Sequence, residues 1–297
     1  MIKKYKEKTK IETEQPQRIF SILDRDVICL HRTDFLPHFT KTTLHNHDGY
    51  EFLLYLSGNT NYYVESEGKK LEYGELILTA PYTFHGIDTQ TDQTYERIII
   101  NIKEAYFKGL CSEKTDLASC FNGISSNKIN SYILNKNEIQ EFSDIAARLQ
   151  HELDNPGYGS DILVPALLVQ LLVMINKKTS NDSIPTYQSI IPRIVADTIS
   201  YVNNHLGCDL SLNTLSSHLY HNGDYISRCF KNTMGTTLQQ FIIAKRIVLA
   251  QQYLREGYTV VDTCFLSGFS DYSNFSRCFS KHVGMSPTRY RKENKFN

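Results

Sequence analysis

Four side chains in the first third of the chain, His45, His47, Glu51 and His85, have the residue types for metal or proton chemistry. Imidazole nitrogens and a carboxylate oxygen are ligands for a divalent transition ion, and residues two apart on a strand point the same way. A second set of residues does a different kind of chemistry. Ser227-Arg228-Cys229-Phe230 recurs 49 residues later as Ser276-Arg277-Cys278-Phe279, and arginine is suited to bidentate contact with guanine or phosphate. Catalytic signatures do not emerge: there is no phosphate-cradling glycine loop, nucleophile elbow, or defensible Ser-His-Asp or Cys-His spacing. No enzyme is expected.

The elements that position the repeated arginines follow from the repeat itself. At the same offset Thr214 falls on Thr263 and Gly235 on Gly284, with no gap from position 212 to 235. Two copies make a duplicated supersecondary unit, too few for a solenoid. Each copy reads as two short helices joined by a tight turn. In the first, Ser211 caps a helix through Leu212, Leu215 and Leu219, His221-Asn222-Gly223 turns the chain, and Tyr225 to Lys231 forms a second helix. The second copy runs through Val260, Val261 and Cys264, turns at Gly268-Phe269-Ser270-Asp271, and continues as a helix from Asn274 to Lys281.

Ile226, Cys229 and Phe230, and likewise Phe275, Cys278 and Phe279, are expected to face inward, the cysteines as small core residues. This is the pattern of a helix-turn-helix, whose second helix enters the major groove. Its outward residues are Asp224, Ser227, Arg228 and Lys231 in the first copy, and Ser273, Asn274, Ser276, Arg277 and Lys281 in the second. Asp224 repels phosphate unless it accepts from a cytosine amino group or caps the helix. Between the copies, 236–255 has a helical apolar pattern ending at Gly257. At about 1.5 Å per residue, roughly 19 residues span about 28 Å, near the ~34 Å between successive major-groove faces.

Composition bounds the rest. With 297 residues, 41% hydrophobic and 22% charged, the chain is long enough for two globular domains. Lys plus Arg and Asp plus Glu both total 32, but from Thr186 onward 12 basic residues face 7 acidic ones. A basic C-terminal part suits a polyanionic partner. The segments VICL, YEFLLYLSG, NTNYYVES, ELILT and RIIINI, separated by turn signals, predict strands of a sandwich or barrel over 26–102. Two helices follow, 137–153 with Ile139, Phe142, Ile145, Ala146 and Leu149 on one face, and 161–176, apolar nearly all round. The second must be covered, by the barrel or by its copy in a second subunit; a homodimer is the expectation.

Asn176 to Ile190 has the composition of a linker. The apolar stretch Ile162–Ile175 is 14 residues long and holds Pro165 and Gln170, which reads as too short to cross a bilayer. Met1 to Phe20 has no apolar run of a signal peptide, and seven cysteines without a Cys-x-x-Cys pair argue against disulfides and zinc fingers. A reducing cytoplasm is expected.

The C-terminal part, roughly residues 190–293, resembles the AraC/XylS family of bacterial transcription regulators. The resemblance is carried by Ser-Arg-Cys-Phe-Lys at 227–231, Phe241, Ala244-Lys245-Arg246-Ile247, Ala250 and Leu254. It continues through Gly268-Phe269-Ser270-Asp271, Phe275 to Phe279, and Gly284-Met285-Ser286-Pro287 with Tyr290-Arg291. It implies a seven-helix module with two helix-turn-helix units on promoter DNA, and RNA polymerase as a partner. The first copy departs from the family at Asn222-Gly223-Asp224.

HNHDGYEFLLYLSG at 45–58 resembles the first motif of the cupin barrels, and Gly74, Pro81 and His85 a loosened second motif. The stretch from Pro81 to His85 lacks the glycine that metal cupins carry, which leaves open whether His85 points inward. Two readings of His45, His47, Glu51 and His85 follow: a transition-metal site, or polar groups of an effector pocket, to which Tyr62, Tyr82 and Phe84 would add stacking surface for a sugar-like molecule. The pocket is the expectation, with no cofactor committed and the metal as its alternative.

The fold expected is two-domain α+β: an N-terminal cupin or jelly-roll β-barrel with two trailing helices over 1–178, a linker over 179–189, and an all-α double helix-turn-helix domain over 190–297. Its function is that of a cytoplasmic, effector-responsive regulator, an activator by family analogy, with no membrane partner. The rival is a metal-dependent cupin enzyme with a helical appendage.

Overall fold

A computed structural model describes residues 20–21, 23–36, 44–89, 93–122, 128–181 and 187–294. Among the described residues ten strands form the sheets of the N-terminal part, nine of them ahead of the first helix. A five-stranded sheet holds β2 (Val27–Leu36), β4 (Gly49–Ser57), β7 (Glu75–Thr79), β9 (Gln93–Lys103) and β10 (Asn130–Ile133), in the order β10-β7-β4-β9-β2. A three-stranded sheet holds β5 (Thr60–Val64), β6 (Glu67–Lys70) and β8 (His85–Thr89), and the short β1 (Phe20–Ser21) and β3 (Asn46–His47) pair in parallel. All pairings within the two larger sheets are antiparallel.

The strand β4 lacks a polar–apolar alternation because both its faces are covered. Phe52 and Leu54 pack with Ile98, Ile100 and Ile102 toward the trailing helices, while Leu53 and Tyr55 face the lumen with Tyr62, Val64, Ile77 and Tyr95. The five predicted segments are all strands. The polar β6 (EGKK), the Gly-containing β8 (HGIDT) and the four-residue β10 escaped prediction, since none carries a run of β-branched or aromatic residues.

Three helices complete the N-terminal part: α1 (Glu104–Leu110), α2 (Lys136–Asp154) and α3 (Ser160–Asn181). Asn135 caps α2 in a capping box with Glu138, and the predicted face Ile139, Phe142, Ile145, Ala146 and Leu149 is wholly buried. α3 is longer than its sequence reading. At 22 residues it is long and apolar enough, by length and composition, to cross a membrane. Here Leu167, Leu168, Leu171, Leu172 and Ile175 pack into the core shared with α2 and the large sheet, and Ile162 and Leu163 on another side are exposed.

The linker begins later than expected, because α3 continues to Asn181, and its described part is tied down. Ile190 N–H donates to Gly68 O, Ser189 Oγ accepts from Gly68 N–H, and Tyr187 Oη accepts from Ile129 N–H. The rest of the predicted linker, including Pro185, lies outside the described residues.

Seven helices follow: α4 (Arg193–Asn204), α5 (Leu212–Leu219), α6 (Gly223–Met234), α7 (Leu238–Arg255), α8 (Val260–Leu266), α9 (Tyr272–Val283) and α10 (Pro287–Asn294). Two cores form on either side of α7. One gathers Val195, Ile199, Leu215, Ile226, Phe230 and Phe241; the other gathers Leu254, Cys264, Phe275, Phe279 and Tyr290. The first also takes in Leu44, Tyr63 and Phe84 from the barrel, so the two domains share packed surface.

Candidate functional site

Three of the four predicted chemical side chains meet in the barrel lumen. His47, Glu51 and His85 are buried, with ligand atoms all within 4.8 Å of one another. The ladder explains the convergence. Glu51 on β4 lies opposite Thr79 and Asn101, while β3 brings in His47 and β8 begins at His85. His47 Nε2 is 3.2 Å from Glu51 Oε2, and His85 Nε2 is 3.5 Å from Glu51 Oε1. His85 therefore points inward without the expected glycine. Its main chain is aligned instead by a bridge to His45, with N–H to O bonds of 2.9 Å in both directions.

Electrostatics in this cluster are strongly coupled. Burial alone raises the pKa of Glu51, but the neighbouring His85 and His47 reverse the effect and hold the carboxyl well below its ordinary value. Burial lowers the pKa of His85, and the Glu51 carboxylate more than offsets it, so the net shift is upward.

His45 is not one of the converging ligands. Its ring lies 4.4 Å from that of His85, but it falls outside the group whose donor atoms meet. Tyr62 does line the lumen: it is fully buried, stacks at 6.2 Å on His85, and shares a hydrogen bond of 3.0 Å with Thr79 Oγ1. Tyr82 and Phe84 do not. Both turn away to the DNA-binding part, where Tyr82 Oη accepts from Arg255 Nη1 at 2.6 Å and Phe84 stacks edge-on against Phe241 at 5.3 Å. The reason is local, since the chain turns at 80–83 with Tyr82 at positive φ before β8 begins at His85, and α7 offers an aromatic and a cationic partner on the outer side.

Sequence reasoning missed this interdomain seam. Lys245 Nζ donates to Glu65 Oε2 at 2.5 Å, both largely buried, and lies 5.0 Å and 5.6 Å from the Phe84 and Phe241 ring centroids. Glu65 also accepts from Phe84 N–H, and Tyr82 N–H donates to His47 O. Glu65 and Tyr82 both adopt positive φ, +49° and +63°, a conformation that costs about 1 kcal/mol or more and is held here by these contacts. Positive φ leaves no trace in residue type unless the residue is glycine or asparagine, so the sequence carried no signal of it.

The repeated helices are placed as the 49-residue offset requires. α6 spans Gly223–Met234 and α9 Tyr272–Val283, twelve residues each and 49 apart, and Gly235 and Gly284 end them with φ of +71° and +82°. Ile226, Phe230, Phe275 and Phe279 are buried; Cys229 and Cys278 are half-buried. On the outer side Asp224, Arg228, Lys231, Ser273, Arg277 and Lys281 are exposed, and Ser227, Asn274 and Ser276 are partly so.

Asp224 does not cap α6. Asn222 does, accepting from Asp224 N–H and Tyr225 N–H, and Asp224 sits exposed in the first turn beside the positive end of the helix dipole. Asp271 caps α9, and Arg277 donates to Asn274 Oδ1 at 3.0 Å. Arg246, in the spacer, is structural: it donates to Leu206 O and Cys208 O.

Known proteins match both halves. The family described as AraC-like ligand binding domain matches residues 27–172, and a helix-turn-helix domain family matches 215–293. The melibiose operon regulatory protein of Escherichia coli (strain K12) is 23% identical over 295 residues, 95% of this chain and 92% of that protein. The uncharacterized HTH-type transcriptional regulator YisR of Bacillus subtilis (strain 168) is 24% identical over 251 residues, covering 81% and 85%. A solved structure of ToxT from Vibrio cholerae is similar over 92% of this chain and all of that one, at 14% identity and a TM-score of 0.37. With a ligand-binding barrel followed by a double helix-turn-helix, each half matched by its own family, the chain belongs to the AraC/XylS family of transcription regulators.

Proposed function

We propose that this regulator activates transcription in the cytoplasm, binding promoter DNA through α6 and α9 and answering a small-molecule effector held in the barrel lumen. The paired outward rows, Asp224, Ser227, Arg228 and Lys231 on α6 and Ser273, Asn274, Ser276, Arg277 and Lys281 on α9, carry the reading. They sit on two equal helices joined by the 18-residue α7, which spans about 27 Å. A sugar-like effector suits a lumen of hydrogen-bonding groups walled by Tyr62. The exposed Ile162 and Leu163 on α3 support a homodimer, and RNA polymerase is the partner that activation requires.

Response to the effector requires unequal affinity for two arrangements of barrel and DNA-binding domain. The four-residue stretch 82–85 offers the route, since His85 faces the lumen while Tyr82 and Phe84 face α7.

The test is binding of the full chain to its own promoter region across a salt series. Affinity should fall linearly on a logarithmic salt scale. Arg277→Ala and Arg228→Ala should each weaken specific binding by about 1 to 3 kcal/mol. Unchanged affinity in both variants would remove these helices as the reading heads.

A further inference from the structure

The lumen triad sets three acceptors against one another. His47 Nδ1 lies 3.0 Å from Gly49 O and His85 Nδ1 2.9 Å from Thr83 O. A carbonyl oxygen only accepts, so each Nδ1 carries the hydrogen. In the neutral rings both Nε2 atoms are then lone pairs, and both face the Glu51 carboxylate. Lone pairs converge in this way only around something positive.

Distance separates a proton from a metal ion. A charge-assisted N–H to carboxylate bond closes to about 2.7–2.9 Å. The two gaps here are longer, 3.2 Å for the His47–Glu51 hydrogen bond and 3.5 Å for His85, and among the described residues His85 Nε2 is buried with no hydrogen-bond partner. Ligands about 2.1 Å from a shared ion lie about 3.0 Å apart at right angles and about 3.4 Å apart at the tetrahedral angle. The two histidine–carboxylate gaps, each to its own oxygen of Glu51, are close to those edges. The carbonyl tethers on Nδ1 fix ring orientation in the manner of groups that orient metal-ligating imidazoles.

We propose that His47 Nε2, His85 Nε2 and Glu51 bind a divalent first-row transition-metal ion, so that the effector site of this regulator is a metal centre. Two imidazoles and one carboxylate suit such ions and leave coordination positions open. Effector hydroxyls can occupy them. The proposal rests on the regulator reading only for its consequence, that occupancy at His85 is felt by α7 through Tyr82 and Phe84; the site itself stands on the geometry.

The test uses full-length chain stripped by a chelator, dialysed and titrated with Zn²⁺ by calorimetry and with Co²⁺ by visible absorption. Wild type should bind one ion per chain with Co²⁺ bands of nitrogen and oxygen ligation, and Zn²⁺ should raise its melting temperature. Glu51→Gln, nearly isosteric, and His85→Gln should each weaken Zn²⁺ binding at least 10-fold; circular dichroism selects the variants that fold, and Co²⁺ bands on wild type need no variant. Wild-type Zn²⁺ binding no tighter than that of a folded variant, or a wild type without the Co²⁺ bands, overturns the proposal. Promoter binding is measured on the same samples. Metal-independent DNA binding without a Zn²⁺ site would sink the metal centre and spare the regulator; a Zn²⁺ site in a chain that binds no DNA would do the reverse.

Discussion

The two helix-turn-helix units share a frame and differ in how the turn is held. Both second helices run twelve residues to a left-handed glycine, and both bury two large apolar side chains at equivalent positions, Ile226 and Phe230 in one and Phe275 and Phe279 in the other. The first unit turns on Tyr220, 92% exposed at φ +54°, an expensive conformation for a tyrosine. The second turns on Gly268 at φ +89°, where an added Cβ would lie 2.1 Å from Leu206 O. One turn is strained but free; the other is locked by a neighbouring loop. The two units keep the same second helix and differ in the joint before it.

The largest expected effects test the sameness of the frames. Phe230→Ala and Phe279→Ala, each emptying a fully buried ring, should cost about 3 to 5 kcal/mol and agree with one another, measured by urea denaturation. A much cheaper Phe279→Ala would mean that the second core is built differently. Next comes the joint. Gly268→Ala should destabilise by about 2 kcal/mol or more, because both the backbone conformation and the space forbid a methyl group. Tyr220→Gly should go the other way, stabilising by up to about 1 kcal/mol in thermal melts. A destabilised Tyr220→Gly would show that the exposed ring makes contacts worth more than its strain.

The smallest effect is in pH. Partial burial near the end of α9 lowers the pKa of His282, with the Cys278 carbonyl bond opposing and Lys281 assisting, whereas the equivalent residue of the first unit is Thr233. A depressed histidine contributes stability present above its unfolded value near 6.5 and lost as pH falls through the lower folded value. The fall in stability below pH 6.5 should therefore be shallower in His282→Thr. An identical slope would show that His282 takes no part.

The repeated helices were legible for a physical reason. Helix periodicity, caps and αL glycines are encoded locally, so the repeat named α6 and α9 to within three residues, and the predicted inner face of α2 is buried as read. Capping was one of two roles left open for Asp224, and the residue that caps α6 is its near neighbour Asn222. The lumen was half legible: residue types named His47, Glu51, Tyr62 and His85, and could not exclude His45, Tyr82 or Phe84, because strand alternation holds only while the strand is regular. At 80–84 the chain is a turn, with Tyr82 at positive φ, and the parity rule lapses there.

The sequence by itself determined the order of the parts, the duplicated helix-turn-helix and the outward arginines, since these depend on contacts a few residues apart. Tertiary structure decided which side chains share the lumen, and that Glu65, Tyr82 and Phe84 grip Lys245, Arg255 and Phe241 of α7. Those partners lie more than 150 residues apart, and only the folded chain brings them within reach.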